Sequence, residues 1–194
     1  MKKIATILAF ALLSCFILSG QEHLKIKNVP IDGNASTFTK KLKDAGLTEY
    51  PDAGDYTILQ GTFAGLSNCL FMFAESDKSR IVYRVLVMTE EDRTWSALKS
   101  TYLSLKNNYS AKYSKGRSYE FFDSPYYEGD GYEMQALRLE KCTYVTYYTV
   151  PEGAISIEMK AFSSGGGYIL ITYEDKQNLE IAKAERSSIV NDDI

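Results

Sequence analysis

Gly61–Phe73, GTFAGLSNCLFMF, decides the fold. One extended run, Tyr56 to Phe63, enters a turn at Ala64-Gly65, and Asn68 to Ala74 leave it as a nearly unbroken apolar run. That is the pattern of two antiparallel strands with one face in a core. Outward from there, Glu75 to Ser79 turn the chain again and Arg80 to Met88 return. In this third strand Ile81, Tyr83, Val85 and Val87 share one face, and Val82, Arg84, Leu86 and Met88 share the other. An apolar second face implies that something covers part of it.

Helix signals flank these strands. His23 to Lys27 alternates as a short first strand, and Val29-Pro-Ile-Asp-Gly33 turns it toward a helix over 36–45. Asn34 or Ser36 caps that helix, Phe38, Leu42 and Ala45 fall at helical spacing, and Gly46-Leu47 supply the stop. A stronger helix follows the third strand, with Trp95, Leu98, Tyr102, Leu105 and Tyr109 on one stripe and Thr89 to Asp92 as caps. The tryptophan on that stripe is read as core packing.

The second half repeats the plan. Ser118 to Phe122 reads as an edge strand and Asp123 to Gly131 as a loop. Asp130 and Glu133 then offer a capping box for a short helix to Glu140. Cys142 to Val150, Ile155 to Lys160 and Tyr168 to Tyr173 read as strands, and Asp175 caps a last helix carrying Leu179, Ala182, Arg186 and Ile189.

Cys69 and Cys142 sit at similar places in the two halves. From Cys69 to Ile81 is 12 residues and from Cys142 to Ile155 is 13. The expected fold is therefore α+β: two units of one helix plus three strands, 22–89 and 90–194, joined in one compact domain. The strands form antiparallel sheet with helices packed on one face.

A pseudo-twofold arrangement of those units brings equivalent positions together. On that reading Cys69 and Cys142 form a disulfide closing a loop of about 70 residues, contributing ~3 to 4 kcal/mol. The other reading of the same two residues is a pair of separate buried thiols.

The amino terminus carries an address. Met1-Lys2-Lys3 followed by apolar Ile4 to Leu18 has the plan of a secretory signal peptide, 1–21, cleaved near Gly20 or Gln21, and the apolar run falls short of a membrane span. The chain is thus expected to be exported, periplasmic or secreted. A second reading takes Leu12-Leu-Ser-Cys15 as a lipoprotein site, the one case in which a membrane is a partner. Without residues 1–21 the chain loses two lysines and no acid, and its formal charge moves from −3 to −5. An acidic exported domain has no general electrostatic pull toward nucleic acid, so no nucleic-acid partner is expected.

His23-Leu-Lys-Ile-Lys-Asn-Val-Pro-Ile-Asp-Gly33, Lys41 to Gly46, Gly61 to Cys69 and Tyr173 to Asn178 resemble a group of exported proteins of Bacteroides-type bacteria. That resemblance implies export and assigns no catalytic residue. The duplicated helix-and-sheet plan is also similar to the tandem fold of the beta-lactamase inhibitor protein, an architectural likeness that implies no function.

Candidate chemistry is sparse. His23 is the single histidine and stands near the mature terminus as a bystander. No cysteine or histidine spacing fits zinc, and Gly165 to Gly167 precede a strand and not a helix. Glu128-Gly-Asp-Gly-Tyr-Glu133 lacks the spaced oxygens of a calcium loop. No catalytic residue, metal or cofactor is expected.

Tyrosine is the unusual feature: of 15 in the chain, 12 fall between Tyr102 and Tyr173. Tyr119, Phe121, Phe122, Tyr126, Tyr127 and Tyr132 lie in or beside the long loop; Tyr119, Phe122, Tyr126, Tyr127 and Tyr132, together with strand tyrosines, form the candidate binding surface, and the other reading of these rings is that they pack over the sheet and close the core. Tyr144, Tyr147 and Tyr148 alternate on a strand, so at least one of them faces away from the others. The function read from this is a non-enzymatic binding or interaction module for a protein or glycan partner, with a periplasmic small-molecule or glycan-binding protein as the alternative.

Overall fold

The computed structural model describes residues 22–54, 56–113 and 116–193. Residues 1–21, on which the signal-peptide and Cys15 lipoprotein expectations fall, lie outside the described residues. Among the described residues no helix is long and apolar enough to cross a membrane.

The chain is α+β. A two-residue hairpin opens it, β1 (Lys25–Ile26) and β2 (Val29–Pro30). Lys27 and Asn28 both have positive φ, the backbone that a tight two-residue hairpin turn requires. The helix α1 (Ala35–Asp44) follows, with the Asn34 side chain accepting the Thr37 N–H, and then β3 (Thr48–Glu49), β4 (Leu59–Phe63), β5 (Leu66–Glu75) and β6 (Val82–Met88). The second half supplies α2 (Trp95–Tyr113), β7 (Arg117–Phe122), α3 (Glu133–Arg138), β8 (Cys142–Val150), β9 (Gly153–Ala161), β10 (Gly167–Asp175) and α4 (Lys176–Asp193).

All strands but the first two form one antiparallel sheet of 8 in the order β3-β4-β5-β6-β10-β9-β8-β7. Each half contributes four strands and not three, because β3 and β7 extend the two edges. The order is a palindrome about the β6–β10 seam, where Phe71↔Val87 and Val87↔Ile171 carry the apolar stripe across.

Register and alternation assign the two faces. Phe71, Val85, Val87, Ile169, Ile171, Tyr173, Ile155, Ile157, Met159, Tyr144 and Tyr148 share one face and are all buried. Helices α1, α2 and α3 cover it: Phe38 of α1 meets Phe73 edge-on with centroids 5.3 Å apart, and Tyr102 and Tyr109 of α2 reach β8 and β10. Leu70, Met72, Leu86, Met88 and Leu170 share the opposite face and are only half-buried. They are not packed against the core cluster. The apolar second face expected on β6 is present, but Leu86 and Met88 keep part of their surface open.

The disulfide expectation fails. Cys69 and Cys142 are both free, buried thiols. They stand on β5 and β8, with β6, β10 and β9 between them. Four strand steps of about 4.8 Å separate them by roughly 19 Å, far beyond the ~7 Å that a disulfide tolerates between Cα atoms. In the palindrome β5 mirrors β9 and β8 mirrors β4, so the two cysteines were matched one strand out of step.

Two capping readings also shift. Helix α2 takes Thr94, whose Oγ1 accepts the Ala97 N–H, while Asp92 pairs its backbone with Gly167. Asp130 closes its own loop, accepting the N–H groups of Tyr127 and Tyr132, and the residue before α3 is Tyr132, which makes no side-chain cap. Asp175 does cap α4, accepting the Asn178 N–H at 3.0 Å.

Candidate functional site: the aromatic edge of the sheet

The five residues read as a binding surface divide in the folded chain. Phe122 turns inward on β7 and meets Trp95 of α2 edge-on at 5.4 Å and Tyr144 at 6.1 Å. Tyr126 is half-buried against the core, and its hydroxyl accepts from the Gln135 amide. These two are structural. Tyr127 and Tyr132 are well exposed on the loop, and Tyr119 is 44% exposed on β7.

Strand alternation explains the split and adds residues. Arg117, Tyr119 and Phe121 point to the face opposite the helices, while Ser118, Glu120 and Phe122 point under α2. On β8, which pairs with β7 through Arg117↔Tyr147, Tyr119↔Val145 and Phe121↔Thr143, the same rule puts Tyr147 outward. Phe121 and Tyr147 are each 48% exposed. The Tyr119 and Tyr147 rings meet edge-on at 6.2 Å. Val145, directly opposite Tyr119 in the register and two residues before Tyr147, is only 4% exposed. The Tyr119–Tyr147 contact, with Phe121 on the same face of β7, gives this end of the sheet an aromatic patch.

The patch runs into a cleft of ≈ 670 Å³ lined by Tyr113, Gly116, Arg117, Tyr119, Tyr147, Tyr148 and Thr149. Arg117 is the one charged side chain among the described residues of that lining. Four phenol rings and a guanidinium offer flat apolar area, hydroxyl donors and acceptors, and one fixed positive charge.

The inward tyrosines do different work. Tyr102 shares a hydrogen bond of 2.7 Å with Thr146 and donates to Glu120, which Lys106 also holds. Tyr148 donates to the Lys106 carbonyl at 2.9 Å. Burial pushes the ionisation of Tyr102, Tyr109, Tyr144 and Tyr173 above the ordinary phenol range. Much of the tyrosine excess therefore hydrogen-bonds α2 to the sheet.

His23 Nδ1 lies 3.1 Å from a carboxylate oxygen of Asp175, but without the alignment of a hydrogen bond. In the acidic loop, Glu133 accepts the Gly129 N–H, and Lys99 pairs with Glu128, holding its carboxyl below the usual range. No group of three or more His, Cys, Asp or Glu side chains among the described residues is arranged to hold a metal ion.

Phe121, beside the long loop, and the strand tyrosine Tyr147 are both exposed on the same face as Tyr119. The signal for Phe121 is its parity with Tyr119. Comparison with family models, curated proteins and solved structures finds no match for the chain.

Proposed function

We propose that the chain is an exported, non-enzymatic binding module whose contact surface is the aromatic edge of the sheet, Tyr119, Phe121 and Tyr147. The observation that carries this reading is that three large aromatic side chains on two neighbouring strands, all on the face away from α1, α2 and α3, each keep 44% or more of their surface exposed. Folding alone gives no reason to hold such residues in water, whereas contact surfaces are enriched in them. The test places a photo-reactive phenylalanine analogue at position 121, cross-links in the producing cells, and then measures the cross-linked protein in purified form against the triple variant Tyr119→Ser, Phe121→Ser, Tyr147→Ser. Binding is expected to fall by at least about tenfold, as the loss of central aromatic contacts implies, with the fold retained. Unchanged affinity refutes the surface.

A second reading, a periplasmic glycan-binding protein, rests on the cleft beside Arg117, where phenol rings can stack on sugar rings. A thermal shift across soluble oligosaccharides, abolished by Tyr147→Ala, favours it.

A further inference from the structure

We propose that β7 is a dimerisation edge, on which a second copy of this chain adds its own β7 antiparallel, joining the two sheets across a twofold axis at Tyr119. The sheet ends in β7 on one side and in the two-residue β3 on the other, so β7 is the one long edge strand among the described residues. Its backbone phase is fixed by the Asp123 N–H, which donates to the Lys141 carbonyl at 2.8 Å. Hydrogen-bonded pairs recur at every second residue of an antiparallel ladder. Arg117, Tyr119 and Phe121 therefore spend their backbone groups on β8, and Ser118, Glu120 and Phe122 aim theirs at the open edge.

Edge strands are ordinarily guarded by charge, proline, a bulge or a covering segment. Here the register with β8 is regular and Glu120, the one acid, is turned under α2 and held by Lys106 and Tyr102. Arg117 has no acidic partner among the described residues.

The sequence of β7 is complementary to itself. Centred on Tyr119, the outward backbone groups of Ser118 face those of Glu120 in the other copy, and Phe122 faces Gly116. Each Arg117 then stands opposite the exposed Phe121 of its mate, a cation over a ring. The two Tyr119 rings form the close, non-hydrogen-bonded pair on the axis. Centring on Glu120 instead sets two carboxylates against each other, so charge selects the first register.

Sedimentation of the purified chain at micromolar concentration is expected to give twice the chain mass. Ser118→Pro removes an outward N–H from each copy at a place where an edge strand tolerates proline, and weakens the dimer by about tenfold or more through two lost hydrogen bonds. Tyr119→Cys forms an intermolecular disulfide on oxidation, and Phe121→Cys does not, because its mate is Arg117. A monomer at every concentration overturns the proposal, including the case in which the edge serves an extended peptide from another protein. So does a dimer that ignores Ser118→Pro and fails to cross-link through Tyr119→Cys.

Discussion

The phenolic oxygens of Tyr109 on α2 and Tyr173 on β10 lie 2.6 Å apart in the core. Each hydroxyl is the other's partner, and Tyr173 is only 4% exposed. Replacing one with phenylalanine leaves the other polar group buried and unpaired, which costs about 1 to 3 kcal/mol. Replacing both removes the orphan. Tyr109→Phe and Tyr173→Phe are each expected to lower stability in urea melts, and the double variant to be no less stable than either single one. Additive losses would show that the two hydroxyls do not depend on each other.

The same burial makes stability fall in alkali. Tyr102, Tyr109, Tyr144 and Tyr173 have folded-state ionisation raised by loss of water contact. A group whose folded pKa is raised holds its proton better in the native state, so its contribution is full below the unfolded value, about pH 10 for tyrosine, and is lost as pH climbs above it. Thermal midpoints should decline above that pH. The phenolate absorbance of these four should appear together with unfolding and not before it. Full ionisation of all tyrosines with the fold intact contradicts this.

Both thiols should be silent until the chain opens. Burial pushes the Cys142 thiol up to about 12 and raises that of Cys69 as well. The thiolate is the reactive form, so a thiol reagent at neutral pH is expected to label neither residue in the native protein. In unreduced denaturant it labels both. A processed chain that shows no free thiol in denaturant would restore the rejected disulfide.

These residues mark what the sequence makes legible. Apolar alternation around Phe71 and Val87 located the strands, and the stripe from Trp95 to Tyr109 located α2, because both periods are local. The strand partners are not local. Cys69 and Cys142 look equivalent in spacing, yet the sheet order places β9 and not β8 opposite β5 across the seam. In the candidate site, Tyr127 and Tyr132 are exposed as their loop setting implied, whereas Phe122 and Tyr126 turn inward. The direction of Phe122 follows from its parity with Ser118 and Glu120 once β7 is fixed against β8. Tyr126 is held by Gln135, a contact across a loop that no period reports.

Asp175 ties the chain's beginning to its last helix. Its carboxylate has no exposed surface and accepts the Leu24 N–H at 2.8 Å through one oxygen and the Asn178 N–H at 3.0 Å through the other. Asn178 in turn donates from its amide to the Ile31 and Val82 carbonyls, each at 2.9 Å. The cluster therefore holds the β1–β2 hairpin, β6 and α4 at one junction. Hydrogen bonds to a charged group contribute about 1.5 to 3 kcal/mol each, and an orphaned buried N–H adds a penalty. Asp175→Ala is expected to cost about 3 to 5 kcal/mol in urea melts on that basis. Asp175→Asn, which keeps one acceptor oxygen, should cost roughly half as much. The loss should be nearly independent of salt, because buried charges are weakly screened. Hydrogen exchange should speed up at Leu24 and Asn178 first. An Asp175→Ala variant that melts within about 0.5 kcal/mol of the parent, the ordinary range for surface changes, would show that the junction does not hold these elements together.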